Sequence, residues 1–334
     1  MTDKRRKVLF IERKPHEFVS IERVFRQIAA ALSPRYEHDF QQMPYGNSPL
    51  DTLRNLLFFR TRKADVYHIT GHVHYLAMRF SPANTVLTIH DVRFLDEPSR
   101  LKRFILKKLY LDRPVKRLRY ITAISENTKR AIVDATGCDK NKIRVIPVPL
   151  IGDVRADNDA KTFNKDKPRI LQIGTMKNKN LPRLIEALAG INCHLRIVGK
   201  LDAEQAAALA KYSVEFSNDF DIDDDAIRNE YAKADIVAFC STLEGFGLPI
   251  IEAQAMGKPV VTSNIAPMAE TSGGAAVLVD PFDTASIREG VCSVINDDVL
   301  RRAMIEKGAE NVERFDPAKI AAQYERLYDE ICGE

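Results

Sequence analysis

Residues 235–264 read DIVAFCSTLEGFGLPIIEAQAMGKPVVTSN. The apolar run at 235–240 and the run that begins at Val260 have the length of buried strands. Between them, Pro249 suits the first turn of a helix and Gly257 suits its C-terminal end. The stretch therefore predicts a strand, a loop, a helix and a second strand, which is the repeating unit of a parallel sheet.

The same alternation of strands and helical patterns runs through most of the 334 residues. Further strand-like runs lie at 8–11, 65–69, 85–89, 120–124, 143–147, 169–173 and 194–198. Residues 152–168 contain almost nothing apolar and predict a linker. Because the chain is long for a single core, we predict an α/β protein with two Rossmann-like, doubly wound parallel-sheet domains that face a central cleft. Their predicted bounds are 1–151 and 169–315, and a C-terminal segment follows at 316–334.

The loop inside the opening stretch has the features of an anion site. The backbone N–H groups of Phe246, Gly247 and Leu248 lie near a helix N-terminus, where unpaired donors and the helix dipole favour negative charge. Glu252 falls one turn into the helix and its side chain leans back toward that site, while Glu244 lies on the loop. The backbone N–H groups of this loop suit the phosphates of a nucleotide sugar, and the two carboxylates suit its hydroxyls. The spacing alone leaves another interpretation open, in which Glu252 only favours the helix dipole and Glu244 is a solvated loop residue.

Other candidate residues also follow predicted strands. Ligands of parallel sheets bind beyond the carboxyl ends of the strands, and His90, Thr175 and Glu244 occupy such positions. These three residues are therefore candidates for one binding region.

Two segments resemble metal sites without requiring one. His68, His72 and His74 lie close together in sequence, and we expect them to line a cleft wall rather than to bind a metal. The acidic run at 221–225 directly precedes a helical pattern, so we expect it to cap that helix. The five cysteines include no CxxC pair, which indicates buried thiols in a reducing cytoplasm.

The two halves of the chain differ in charge. Residues 1–150 carry 29 Lys and Arg against 15 Asp and Glu, whereas residues 151–334 carry 21 against 31.

Within the basic half, residues 100–119 hold nine basic residues and one acidic residue. Four apolar residues recur there at helical spacing, namely Leu101, Phe104, Ile105 and Leu109. Either the apolar face packs on the domain and the lysines are solvated, or the basic face docks on anionic lipids. No apolar run is long enough to cross a bilayer, so we expect a cytoplasmic protein, with this segment as a possible peripheral membrane contact.

The stretch from Glu244 to Glu252 resembles the Glu-x7-Glu motif of the retaining glycosyltransferases of family 4, which have the GT-B fold. IGTMKNKNLPRLIEAL at 173–188 is similar to their diphosphate-binding loop and the helix that follows it. Three further segments resemble other parts of the family: TVLTIHDVRFL at 85–95, ITAISENTKRAI at 121–132 and RFDPAKIAAQYERLYDEI at 314–331. The last of these implies a C-terminal helix that returns to the N-terminal domain.

The resemblance implies a role for each matching residue. Glu252 would bind the ribose of the nucleotide, and Glu244 would contact the donor sugar. The backbone amides from Gly245 to Leu248 would hold sugar and phosphate oxygens, Lys179 would stabilise the leaving diphosphate, and His90 would lie across the cleft near the donor sugar.

The diphosphate-binding segment also departs from the family. Its usual Arg-Lys pair is represented by Asn178 and Lys179, so the Arg position holds an uncharged residue, and Lys177 could supply the missing charge. Residues 217–219 fall where the family has its base-binding loop, which implies that this segment, with Asn218 at its centre, contacts the base through backbone groups.

The family implies a retaining, metal-independent glycosyltransferase with no cofactor. Its donor would be a nucleoside diphosphate sugar, either a UDP- or a GDP-sugar, bound mainly by the second domain. The acceptor would be a glycan or a lipid-linked glycan held by the first domain, as in cell-surface polysaccharide synthesis, and no nucleic acid is expected. Two alternatives remain open: a sugar-nucleotide epimerase of the same fold, and an inactive nucleotide-sugar-binding subunit.

Overall fold

A computed structural model describes residues 5–14, 20–46, 48–152 and 162–333. The chain forms two compact units, the first made of Met1–Ile151 with Asp316–Glu334 and the second of Gly152–Phe315. The C-terminal segment therefore belongs to the first unit. Residues 153–161, which make up much of the predicted linker, lie outside the described residues.

Each unit is built around one six-stranded sheet in which all pairings are parallel. The strands are β1 Arg6–Glu12, β2 Tyr36–Gln42, β3 Val66–Ile69, β4 Thr85–Ile89, β5 Tyr120–Ala123, β6 Ile143–Val145, β7 Arg169–Ile173, β8 His194–Val198, β9 Phe216–Asp219, β10 Ile236–Phe239, β11 Val260–Ser263 and β12 Val277–Val279. The strand order is β2-β1-β3-β4-β5-β6 in the first unit and β12-β11-β10-β7-β8-β9 in the second. The predicted class of two doubly wound parallel sheets is confirmed.

Helices connect the strands on both faces of each sheet. They are α1 Ser20–Ala30, α2 Pro49–Phe58, α3 Arg100–Lys107, α4 Arg113–Arg117, α5 Glu126–Thr136, α6 Leu181–Leu188, α7 Ala203–Tyr212, α8 Asp224–Lys233, α9 Leu248–Ala255, α10 Met268–Thr271, α11 Thr284–Asn296, α12 Asp298–Val312 and α13 Pro317–Cys332. A π-helical segment, Lys108–Asp112, joins α3 to α4. Among the residues that the structure describes, no helix has the length and apolar character needed to span a bilayer.

The sequence patterns missed β2, β9 and β12. β2 and β12 form the edges of their sheets at one side, and β9 forms the other edge of the second sheet. An edge strand has solvent on one side, so its sequence need not be the continuous apolar run that identifies a central parallel strand. YEHDFQQ in β2 and FSND in β9 are correspondingly polar.

The C-terminal helix α13 seals one face of the first sheet. Tyr324 and Tyr328 of this helix are fully buried, and Tyr328 Oη lies 2.7 Å from Nδ1 of His68 on β3. The other ring nitrogen of His68 lies 2.7 Å from Oγ1 of Thr88, which in turn lies 2.7 Å from Oγ1 of Thr122. Each of these polar atoms has a partner, so burying them avoids the cost of unpaired groups. The helix thus returns to the first unit, as the family resemblance implied.

The second sheet reverses its winding between β7 and β10. From β7 the chain adds β8 and β9 on one side, then crosses to the other side to add β10, β11 and β12. Ligands of open α/β sheets bind at such a switch point, beyond the carboxyl ends of the two strands. The loops after β7 and β10 are therefore the expected site of this unit.

Candidate functional site

The loop after β7 folds back so that Lys179 lies beside Gly174. Gly174 has φ +88°, and a Cβ at this position would lie 3.0 Å from Cε of Lys179. A side chain would strain the backbone and crowd the lysine, so glycine suits both requirements. A short 3₁₀ turn, Lys177–Lys179, then leads into α6.

The structure brings Lys179 and Glu244 together. Lys179 Nζ lies 2.8 Å from Glu244 Oε1, and both side chains are 13% exposed. The same ammonium lies 4.6 Å from the centre of the Phe239 ring, at the end of β10. An ammonium between a carboxylate and an aromatic face is well stabilised when it is shielded from water. The resemblance assigned these two residues separate roles and did not predict that they pair.

The loop after β10 leads into the N-terminus of α9. Gly247, which precedes the helix, has φ +105°. This conformation suits glycine and lets the chain turn directly from the loop into Leu248 and Pro249. The hydroxyl of Thr271 donates to the carbonyl of Phe246 at 2.8 Å and anchors the loop from behind. The segment from Gly245 to Leu248 thus occupies the helix N-terminus that the sequence predicted.

Glu252 lies one turn into α9 and accepts a hydrogen bond from a buried tyrosine. The distance from Tyr231 Oη to Glu252 Oε2 is 2.6 Å. Burial and the nearby carboxylate raise the pKa of Tyr231 well above its usual value, so the phenol stays a donor over the working pH range. Tyr231 therefore fixes one oxygen of the carboxylate that the family resemblance links to the ribose.

Thr175 and Asn218 hold neighbouring backbone segments in place. The Thr175 hydroxyl donates to the carbonyl of Lys200 at 2.7 Å, and the Asn218 amide donates to the carbonyl of Gly199 at 2.7 Å. Residues 217–219 belong to strand β9 and not to a loop, and a contact of this segment with the base stays a prediction. The side-chain amide of Asn218 shapes the end of β8. Lys177, which was also predicted to bind the donor, is exposed.

His90 lies in the first unit, at the end of β4, and is buried. Its Nε2 lies 2.8 Å from the carbonyl oxygen of Thr70. A carbonyl only accepts, so Nε2 carries the proton and Nδ1 of the neutral ring is an acceptor. Burial, with a smaller contribution from the neighbouring His72, lowers the pKa of His90 to about 4. The imidazole is therefore neutral near pH 7.

The other histidines of this region do not converge. His68 is buried beneath α13, and His74 is buried with Nδ1 2.8 Å from the carbonyl oxygen of Tyr110. The expectation that these two residues line a cleft wall is therefore wrong, because they fill the interior of the unit. Within the described residues, no group of three or more His, Cys, Asp or Glu side chains could hold a metal ion.

The acidic run at 221–225 caps α8, as predicted. The Asp223 side chain accepts a hydrogen bond from the backbone N–H of Ala226 at 2.8 Å. Asp224 and Asp225 occupy the first turn of α8, where negative charge stabilises the helix.

The basic segment at 100–119 exposes the apolar residues of α3 only. No residue of α3 is buried, and Leu101, Phe104 and Ile105 are 70%, 58% and 46% exposed. Leu109, in the π-helical segment, packs against the core. The interpretation that the whole apolar face packs on the domain is therefore wrong for these three residues of α3.

Sequence patterns missed Tyr231 and the structural use of Asn178. Tyr231 carries only the signal of a core residue in a helical pattern, which does not distinguish a packing residue from the partner of Glu252. Asn178 was noted for the charge it lacks, and its contacts with the Glu244 loop appear only in three dimensions.

Comparison with known proteins identifies the class and then the family. HepE from Anabaena, solved in complex with UDP and glucose, superposes with a TM-score of 0.76 over 97% of this chain and 100% of its own, at 17% identity. At that identity the likeness shows the fold, and the fold is GT-B. The model of the family described as "Glycosyl transferases group 1" matches residues 153–311, and that of "Glycosyltransferase Family 4" matches residues 15–150. The two models together match most of the chain, which belongs to the group 1, family 4 glycosyltransferases.

Sequence relatives share shorter stretches with this chain. A phosphatidyl-myo-inositol mannosyltransferase of Mycobacterium leprae is 30% identical over 163 residues, which are 46% of this chain and 44% of the relative. The capsular polysaccharide biosynthesis glycosyltransferase CapM of Staphylococcus aureus is 26% identical over 236 residues, 64% of this chain and 62% of the relative. The chain thus spans about half the length of these two relatives.

Proposed function

We propose that this protein is a retaining glycosyltransferase that moves a sugar from a nucleoside diphosphate sugar to a glycan or lipid-linked acceptor. The observation that carries the proposal is the set of Lys179, Glu244 and Glu252 around the switch point between β7 and β10. These positions combine one cation, one helix N-terminus and two carboxylates, which suit a diphosphate flanked by two polyols. The names of the relatives, which transfer mannose or build a capsule, and the UDP and glucose bound to HepE support this substrate class.

The family chemistry needs no protein nucleophile. The bond from the anomeric carbon to the diphosphate oxygen breaks while the acceptor hydroxyl attacks from the same face. The acceptor proton passes to the departing diphosphate oxygen, so the products are the glycoside and the nucleoside diphosphate. Lys179 stabilises the negative charge that develops on the leaving group. Because Lys179 pairs with Glu244 in the structure, donor binding would let the diphosphate share the lysine and free Glu244 for a sugar hydroxyl.

A nucleotide-release screen tests this function. UDP- and GDP-sugars are each incubated with the protein, with and without lipid-linked and soluble glycan acceptors, and the nucleoside diphosphate is measured. We expect one donor to release its nucleotide at a rate that rises strongly when an acceptor is present. Conversion of the donor to an epimer without an acceptor would replace this proposal with the epimerase alternative. Tight binding without turnover under every condition would favour the inactive subunit.

We also propose that the first unit docks peripherally on the cytoplasmic, anionic membrane surface. Residues 100–119 combine nine basic residues with the exposed side chains of Leu101, Phe104 and Ile105. Apolar insertion and attraction of basic residues to anionic lipids reinforce each other. A second copy of the chain would bring the same positive excess, which disfavours self-association through this surface.

Helix α2 carries a second set of exposed apolar side chains in the first unit. Leu50, Leu53, Leu57 and Phe58 on this helix are more than half exposed. Leu56 of α2 packs against the same core cluster as Leu109. Both segments therefore pack on the core of the first unit.

Co-sedimentation with vesicles tests the docking. Wild-type protein should sediment with phosphatidylglycerol-containing vesicles and not with pure phosphatidylcholine vesicles, and the bound fraction should fall as salt rises. Leu101→Gln should weaken binding severalfold. Val299→Gln, which changes an equally exposed residue of the second unit (69% against 70%), serves as the matched control. Protein that stays in the supernatant with anionic vesicles at low salt would contradict docking and favour a soluble acceptor.

A further inference from the structure

Asn178 occupies the position where the family resemblance places an arginine, and it connects the two loops of the site. Its side-chain amide donates to the carbonyl of Leu243 at 2.9 Å and to Glu244 Oε1 at 3.1 Å. Its own carbonyl accepts from the backbone N–H of Thr242 at 2.8 Å. Three consecutive residues of the loop after β10 are therefore tied to this one residue of the loop after β7.

These contacts leave Asn178 poorly suited to bind a diphosphate. A side-chain amide has two N–H donors, and here one is used on Leu243 and the other on Glu244. The remaining polar atom, Oδ1, is an acceptor that phosphate oxygens would repel. Asn178 can therefore grip the diphosphate in place of the missing arginine only by releasing the loop.

Glu244 is held through one oxygen. Asn178 Nδ2 and Lys179 Nζ both approach Oε1, at 3.1 and 2.8 Å. No described residue donates a hydrogen bond to Oε2. One carboxylate oxygen is thus committed to the protein, and the other is available as an acceptor for a ligand hydroxyl.

We propose that Asn178 is a positioning residue that orients Glu244 for recognition of the donor sugar. The inference rests on the proposed function, because it assumes that Glu244 meets a sugar hydroxyl and that Lys179 meets the diphosphate. When the diphosphate draws the ammonium away, Asn178 keeps Oε1 in place and Oε2 keeps its orientation. Asn178 thus contributes to affinity for the sugar and not to affinity for the nucleoside diphosphate.

Calorimetric titration separates these two contributions. The probes are UDP with UDP-glucose and GDP with GDP-mannose, and the pair that binds wild type more tightly is carried forward. Asn178→Ala should weaken binding of the sugar nucleotide about tenfold, as expected for a lost hydrogen bond to a charged group, and change that of the free nucleoside diphosphate less than twofold. Asn192→Ala is the matched control, because the Asn192 amide also donates to a backbone carbonyl, that of Asp166 at 2.8 Å. Asn192 precedes β8 and so lies at the amino end of this strand, whereas the site lies beyond the carboxyl ends of the strands.

The effect should depend on Glu244. Glu244→Ala alone sets a reference ratio of sugar-nucleotide affinity to nucleoside-diphosphate affinity. Adding Asn178→Ala to this variant should change that ratio less than twofold. If the ratio changes as much as in the wild-type background, Asn178 acts independently of Glu244 and the proposal is overturned.

Asn178→Asp supplies a readout that a merely structural role would not move. A carboxylate introduced at position 178 would lie about 3 Å from Glu244 Oε1, and this like charge favours the protonated form of the introduced aspartate. At pH 8 the aspartate should therefore repel Glu244 and reduce the preference for the sugar nucleotide. At pH 5.5 the single O–H of a protonated Asp can donate to Oε1, so the preference, taken relative to that of wild type at the same pH, should recover at least threefold.

Two further results would overturn the proposal, and they differ from failure of the proposed function. One is an equal loss of sugar-nucleotide and nucleoside-diphosphate affinity in Asn178→Ala, which would make Asn178 a diphosphate ligand. The other is a preference in Asn178→Asp that, relative to that of wild type at the same pH, does not change between pH 8 and 5.5. If wild type binds neither pair of probes, the proposed function fails and this inference fails with it.

Discussion

The contact between Tyr231 and Glu252 gives a prediction that the sequence alone could not supply. Tyr231→Phe removes the hydroxyl that lies 2.6 Å from Glu252 Oε2 and leaves a ring of the same shape. The ring packs in an apolar cluster with residues such as Leu171, Val237 and Ile250, so no cavity forms. The substitution therefore isolates one hydrogen bond.

The size of the effect follows from the charge and burial of the pair. A hydrogen bond to a charged group contributes about 1.5–3 kcal/mol. Glu252 is only partly buried, so water replaces some of the lost bond, and we expect a loss of about 1 kcal/mol in nucleotide affinity, or about fivefold. Glu252→Ala should cost more, about 1–3 kcal/mol, because it removes the proposed acceptor for the ribose hydroxyls as well.

A double-mutant cycle measured by calorimetry with UDP or GDP tests whether the two residues act together. If Tyr231 works by holding Glu252, then Tyr231→Phe should have little further effect once Glu252 is Ala, and the coupling should be about 1 kcal/mol. Effects that add within about 0.3 kcal/mol would refute the reasoning. Tyr231 would then be a packing residue, and Glu252 would not need it to bind the ribose.

Other predictions concern the leaving group, metals and acid stability. Lys179→Ala should lower turnover about 100-fold or more in the nucleotide-release assay because it removes charge stabilisation in the transition state; activity within a few-fold of wild type would transfer that role to Lys177 or the backbone amides. Treatment with a chelator should leave activity intact, and a full loss that a divalent metal restores would contradict the metal-independent proposal. Burial lowers the pKa of His68 to about 3 and those of His74 and His90 to about 4. Between about pH 6.5 and pH 4 these histidines are therefore protonated in the unfolded chain and neutral in the folded chain. The free energy of unfolding should be highest above about pH 6.5 and should fall as the pH drops toward 4. Thermal unfolding across this range checks the trend, and His68→Asn should make the slope shallower.

The central strands of both sheets could be predicted from the sequence because they are buried on both faces and read as apolar runs. Edge strands such as β2 and β9 could not, since solvent on one side allows polar residues such as those of YEHDFQQ. The helix N-terminus at Gly247 was predictable because glycine and proline mark such turns directly. Local sequence therefore carried most of the fold and the position of the site.

Contacts between distant segments were beyond the sequence patterns. Lys179 and Glu244 are 65 positions apart, and Tyr231 and Glu252 are 21 positions apart. The patterns placed each residue on its own loop or helix, but the pairing depends on the order of strands in the sheet, which puts β7 beside β10. The exposure of Leu101 and Phe104 was unpredictable for a similar reason, since helical spacing shows a face without showing what covers it.

Transfer of a labelled sugar tests the central claim most directly. The donor that passes the nucleotide-release screen is supplied with a carbon-13 label in its sugar, and the product is followed by nuclear magnetic resonance. The account predicts that the label appears in the acceptor with the anomeric configuration of the donor, in step with one nucleoside diphosphate released per sugar transferred. Nucleoside diphosphate release without label in the acceptor, or a product of inverted configuration, would contradict it.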